Sequence, residues 1–305
     1  MAAFLLALLH LLALILLVRL TLPERFVLLN PYAATTGALL ARLLNFVRAG
    51  VRLPDKPLCL FLLALDLAAC AAALTRLGGP TLTVAGTAVF TFPARGFLGW
   101  LGLAALDFVG FYVALLAGAF LLRLWLLGRP LTGYAGELLR LAGRPFTGLG
   151  LPLQALVLFA LALLYVAVAF VCADGVRYPL FEMVAQMGAK LPGGEAMPAF
   201  LRAEAFPAFL QAFLLAGMTV LNVLGQLRDY ILLFWLILAV ASLMGAAPMA
   251  YFLTDVLRLL CGRVPHLRLG PLDLSPLLAM VALGVAHGLL AGLFLFLVGA
   301  LAHVV

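Results

Sequence analysis

Long apolar runs separated by short polar loops dominate the chain. A membrane-spanning helix needs about 20 mostly apolar residues. Runs of that length extend from Ala3 to Leu22, Pro57 to Leu77, Phe97 to Leu127, Leu151 to Cys172 and Pro276 to Ala302. The third predicts a helix of about 46 Å at about 1.5 Å per residue, which must tilt or project from the bilayer. The first has no basic stretch ahead of it and no small-x-small cleavage site, so it reads as a retained helix.

The region from Phe206 to Pro248 admits two readings. Its apolar stretches, Phe206–Leu224 and Tyr230–Ala247, are split by Arg228-Asp229. Two spans there would make seven in all. One span from Tyr230 onward, preceded by an interfacial or tilted helix, would make six. Basic loops stay on the cytoplasmic side of a membrane. Arg42 and Arg48, Arg140 and Arg144, and Arg258, Arg263 and Arg268 mark three such loops. Six spans place all three on one side, with both termini outside, and are favoured for that reason.

The three basic loops resemble one another. Each carries a short arginine-bounded string, Arg42–Arg48, Arg140–Arg144 and Arg258–Arg263, and each is followed by a proline that opens the next run: Pro57, Pro152 and Pro276. Proline suits the first turn of a helix, where its missing N–H costs nothing. Ser275 is expected at the N-cap before Pro276. The expected fold is therefore an all-α integral membrane protein of about six transmembrane helices. They form three parallel helix–linker–helix repeats with amphipathic cytoplasmic linkers: residues 1–77, 97–172 and 206–305, with 173–205 an extracytoplasmic linker.

The third copy carries a family resemblance. Thr254-Asp255, Arg258, Arg263 and the string Gly270-Pro271-Leu272-Asp273-Leu274-Ser275-Pro276 resemble the signature of the YggT family of bacterial membrane proteins, and Asn30-Pro31 resembles its Asn-Pro element. The chain departs from the pattern: Asn30-Pro31 is not followed by Thr-Asp-Pro, and Val256 follows Thr254-Asp255. Three copies are also more than the usual one or two. The resemblance implies a small inner-membrane protein without enzymatic chemistry, tied to membrane organisation, complex assembly, or osmotic and ion homeostasis.

Composition removes the soluble alternatives. Of 305 residues, 67% are apolar and 10% charged. A soluble domain needs about 25% charged residues to cover itself. Four cysteines set in apolar runs exclude a disulfide scaffold, and the apolar content excludes disorder. The net charge of +7 reads as topology, not as nucleic-acid binding. The abundance of Leu, Ala, Gly and Arg fits a GC-rich bacterial genome and hence a bacterial inner membrane.

Ionisable residues inside a span each cost about 2.5–3.5 kcal/mol on insertion scales, so they are functional candidates. Asp66 and Asp107 are the two carboxylates so placed. They read either as a proton or cation path or as groups held protonated or bonded between helices. Arg228-Asp229 reads as an interfacial pair or a helix contact. Arg19, Arg76 and Arg123 lie near run ends, within reach of headgroups. His10, His266, His287 and His303 invite a haem reading, but no pair recurs at a ligand spacing. The cysteines show no metal spacing, and no phosphate loop, nucleophile elbow or zinc motif occurs. No cofactor or metal is expected. Gly284, Gly288 and Gly292 form a small-residue face, expected to pack against another helix. The basic linkers are expected to meet anionic lipid headgroups.

Two function classes follow. The favoured one is a non-catalytic scaffold, assembly factor or accessory subunit that binds other membrane proteins and no nucleic acid. The alternative is an ion or small-solute transporter or channel, which should show a polar cavity at mid-depth.

Overall fold

The computed structural model describes residues 2–21, 54–76, 79–85, 88–93, 96–126, 133–146, 148–177, 208–243, 247–261, 268–269 and 272–302, with single positions at 34, 41 and 45. The first basic linker, with Asn30, Pro31, Arg42 and Arg48, lies outside the described residues, as do Arg263, His266 and His303.

The apolar runs fold as helices α1 (Ala2–Thr21), α2 (Asp55–Arg76), α3 (Gly96–Trp125), α5 (Leu151–Cys172), α6 (Ala208–Leu243) and α8 (Ser275–Ala302). Two shorter helices, α4 (Gly133–Ala142) and α7 (Ala247–Cys261), fall in the basic loops. Among the described residues, five helices are long and apolar enough to cross a membrane: α2, α3, α5, α6 and α8. In α1 the apolar stretch is shorter, Leu8–Thr21. The architecture is that of a multi-pass helical membrane protein. Leucines and valines stand exposed along these helices, among them Leu156, Leu164, Val171, Val281 and Leu289, as suits helices facing hydrocarbon.

Helix α1 packs on α2, α3 on α5, and α6 on α8. The centre of the bundle is α6, which also touches α3, α5 and α7. Residues 208–224 and 230–243 of the two apolar stretches belong to this one helix of 36 residues. There is no turn at Arg228-Asp229, contrary to a seven-span reading, and the helix begins well before Tyr230. No proline interrupts it, and Arg228 neutralises its neighbour: Nη2 lies 2.9 Å from Asp229 Oδ1.

A small sheet was not expected. Strands β1 (Thr81–Val84), β2 (Ala88–Thr91) and β3 (Gly175–Arg177) pair antiparallel in that order. The alternation of Thr81-Leu82-Thr83-Val84 turns Leu82 and Val84 inward and the threonines outward, as the two-residue period of a strand demands. Phe90 meets Phe170 of α5 edge-on at 5.0 Å. Leu82, Val84, Phe90 and Phe92 join Cys70, Leu74, Leu103, Val166 and Ala169 in one buried cluster. The sheet therefore closes the end of the bundle where α2 stops, α3 starts and α5 stops.

The opposite end holds the described parts of the second and third basic loops. Here α4 packs against α7 and α3. A second short pairing, β4 (Arg268–Leu269) with β5 (Leu272–Asp273), leads into α8. The carbonyl of Leu274 accepts the N–H groups of Leu277 and Leu278. Leu274 thus holds the cap position expected of Ser275, which is instead the first helical residue and fully buried.

Candidate functional site

Three helices bring one histidine and two aspartates together inside the bundle. His10 comes from the middle of α1, Asp66 from the middle of α2, and Asp107 from the first half of α3. The order follows from packing, since α2 lies against both α1 and α3. Nε2 of His10 lies 3.3 Å from Oδ2 of Asp107. That is ion-pair distance without hydrogen-bond alignment, and neither atom has another hydrogen-bond partner. The imidazole is held by Phe108 and Phe111, with ring centroids 5.8 and 5.2 Å away. Asp66 is only 4% exposed, and neither of its oxygens is hydrogen-bonded. It lies within electrostatic reach of His10. Cys70, one turn along α2, is within reach of both carboxylates, and Tyr165 of α5 is within reach of Asp107.

The site lies close beneath the sheet. Cys70 and Leu103, each one helical turn (about 6 Å) from Asp66 and Asp107 respectively, belong to the cluster that packs on the strands. Tyr165 approaches because residue 110 is glycine: a Cβ there would fall 2.5 Å from the Tyr165 hydroxyl.

Buried polar groups are nearly always hydrogen-bonded, so each exception needs an explanation. Burying a lone charge costs far more than burying a paired one. One base and two acids reach zero net charge when His10 and one carboxyl carry protons. Losing one proton leaves a charge of −1. Of the three groups, His10 and Asp107, 3.3 Å apart, are the pair close enough to share a proton directly. No group of three or more His, Cys, Asp or Glu among the described residues has the geometry of a metal site.

The sequence marked Asp66 and Asp107 separately and weighed His10 only as a haem ligand. It could not join them, because the pairing runs between α1 and α3. The available signal was that three ionisable residues sit inside three apolar runs, and hydrocarbon favours their neutralising one another.

A second polar seam runs between α6 and α8. Nε2 of His287 is buried without a hydrogen-bond partner. The His287 ring lies 3.8 Å from where a Cβ on Gly225 would stand, with Asn222 alongside. Arg228 reaches past Gly284, and Gly217 leaves room for Phe294. The expected packing face of Gly284, Gly288 and Gly292 is only partly that. Gly288 and Gly292 face open space. The glycines that admit close approach lie on α6, because the partner side chains, Phe294 and His287, come from α8. Arg228 and Asp229 themselves are largely exposed, at 45% and 68%.

At the basic end the indole N–H of Trp125 donates to the Leu260 carbonyl at 3.0 Å. Buried Gln154 donates to the carbonyls of Leu149, at 2.6 Å, and Phe146, at 3.3 Å. Its own oxygen accepts from Arg123 at 3.4 Å. Arg123, expected to reach toward headgroups, thus bonds inside the protein. The resemblance residues are dispersed along this end. The Thr254 hydroxyl donates to its own helix at Ala250. Asp255 is half-buried and Arg258 exposed on α7. Asp273 pairs with Arg268 in the strand register, and Pro276 is buried in the first turn of α8.

No family model matches the chain, and no curated protein or solved structure matches it either.

Proposed function

We propose that this protein is a six-span protein of the bacterial inner membrane, built of three parallel helix pairs, that handles protons as an ion or small-solute transporter. His10, Asp66 and Asp107 form its proton-binding centre. One observation carries the reading: three ionisable side chains from three helices lie inside the bundle, with His10 Nε2 3.3 Å from Asp107 Oδ2 and these two atoms and both Asp66 oxygens lacking a hydrogen-bond partner. An ionisable residue within a span is expensive, and such residues mark proton relays in pumps and transporters. The resemblance to the YggT family, with its link to ion homeostasis, supports it. Asp66 and Asp107, treated separately, left an accessory role in front; their meeting at His10 favours proton handling.

The test is infrared difference spectroscopy of the protein in lipid, recorded across a pH series. A carboxyl C=O band should grow and fade with pH, and it should change in Asp66→Asn and in Asp107→Asn. A spectrum without any such pH-dependent carboxyl band would reject the centre.

A second reading, a scaffold or assembly factor, has its own observation. The amphipathic helices α4 and α7 pack side by side at the basic end, with Arg140 and Arg258 exposed. Such a surface suits anionic headgroups or a partner protein.

A further inference from the structure

The two sides of the His10–Asp107 pair differ. One helical turn toward the sheet, Leu6 of α1 and Leu103 of α3 stand four residues before His10 and Asp107. Leu103 is buried in the cluster that packs on the strands, and Leu6 packs against that cluster. One turn toward the basic loops, the same two helices line a cavity of about 520 Å³ instead. On α1 its wall includes Leu14, Leu17 and Thr21, at i+4, i+7 and i+11 from His10. That spacing keeps them on the helix face that carries His10. On α3 the wall includes Tyr112 and Leu115, each four residues beyond Phe108 and Phe111, whose rings hold the imidazole. Arg144, in the turn between α4 and α5, closes the far side. The cavity therefore starts about 6 Å along the axis from His10 and runs about 10 Å further, to the end of α1.

We infer that this cavity is a water-filled vestibule through which protons reach His10 and Asp107 from the basic-loop side, while the sheet seals the other side. The inference rests on the proton-handling reading and adds the route and its direction. A centre that exchanges protons needs a connection to water, and His10 and Asp66 are both buried. Asp107 keeps 22% of its side-chain surface exposed, so it is the member of the pair that water can meet. At about 30 Å³ per molecule the cavity has room for about 17 waters. An apolar void for one or two waters stays dry, because each water needs two to four polar partners. A pool of this size supplies most of those partners from its own members. Tyr112 adds a hydroxyl at the inner end, and Thr21 and Arg144 add polar groups at the outer end. Leucine walls hold such a pool loosely, and constrictions of this kind gate conduction by wetting and drying. Towards the sheet the same helix faces offer no comparable space, since Leu6 and Leu103 are packed into the core. The structure is thus that of a centre open to one side of the membrane at a time.

The inference is tested by labelling single cysteines in the full-length protein, its 4 native cysteines replaced, in membrane vesicles of known orientation. The probe is a charged methanethiosulfonate. It attacks the thiolate, and a thiol in apolar surroundings stays protonated. Leu14→Cys and Leu115→Cys should react from the basic-loop side. Their rates should exceed that of Leu164→Cys, on an exposed apolar face of α5, by about tenfold or more, the change in thiolate population that one pKa unit brings. Leu6→Cys and Leu103→Cys should stay unreactive from either side. Leu17→Trp, which narrows the wall between Thr21 and Leu14, should abolish the reaction at position 14. Circular-dichroism melting checks that each variant folds, and Val18→Phe, on the same wall, replaces Leu17→Trp if the latter does not. Reaction of positions 6 and 103 but not 14 and 115 would overturn the inference. So would reaction of 14 and 115 with an uncharged maleimide only, the mark of a cavity filled by lipid. The infrared carboxyl band separates this inference from the reading beneath it. A pH-dependent band with positions 14 and 115 unreactive keeps the proton centre and overturns the route. Reactive positions without that band keep the water-filled cavity and overturn its use by protons.

Discussion

Trp125 at the end of α3 donates its indole N–H to the carbonyl of Leu260, in the last turn of α7, at 3.0 Å. Two segments far apart in the chain thereby meet at one end of the bundle. The loops bearing Arg140 and Arg258 emerge there, while the sheet closes the other end.

Side-specific labelling should reflect that bond. In a background with the 4 native cysteines replaced, Arg140→Cys and Arg258→Cys should react with an impermeant maleimide only after the cells are permeabilised. Asp174→Cys, exposed at the sheet end, should react on intact cells. Reaction of positions 140 and 258 from opposite sides would contradict the arrangement.

Glycine position should matter more than glycine number. Gly110→Ala drives a methyl group into the Tyr165 hydroxyl, and Gly217→Ala drives one into the Phe294 ring. Overpacking of this kind costs about 1–3 kcal/mol. Gly288→Ala and Gly292→Ala meet open space and gain up to about 1 kcal/mol of helix propensity. Thermal unfolding in detergent should separate the two pairs, the first melting lower and the second unchanged or higher. Equal damage from Gly288→Ala and Gly217→Ala would refute the seam between α6 and α8.

Gln154 should prove a structural residue. It bonds the carbonyls of Phe146 and Leu149 from a buried position. Gln154→Leu keeps much of the volume and leaves both acceptors without their donor. Each buried unsatisfied group costs about 1–3 kcal/mol. The melting temperature should fall clearly, with no change in proton-dependent behaviour beyond that loss of stability. An unchanged melting temperature would show that the turn holds itself.

The spans were legible because hydrocarbon imposes one rule, a long apolar run, and Leu151–Cys172 obeys it to the residue. The strands were missed although Thr81-Leu82-Thr83-Val84 alternates cleanly, since four residues between two long apolar runs read as a loop. Arg228-Asp229 suggested a break because a charged pair resembles a loop signal. An adjacent pair that neutralises itself does not stop a helix. The glycine stripe on α8 has the right period for packing, yet period alone does not say which face meets a neighbour. Asp66 and Asp107 stood out by their cost in a span. Their partner His10 did not, because contact between α1 and α3 is tertiary and leaves no local spacing to read.

The central claim is that His10, Asp66 and Asp107 move protons, and proton flux in liposomes tests it most directly. The purified protein is reconstituted with a pH-sensitive dye inside, and an imposed potential drives exchange. Asp66→Asn and Asp107→Asn preserve size and hydrogen bonding but cannot ionise. The account predicts flux in the parent protein above that of empty vesicles, abolished in both variants while their melting temperatures stay near the parent's. No flux in the parent, or undiminished flux in both variants, would contradict it.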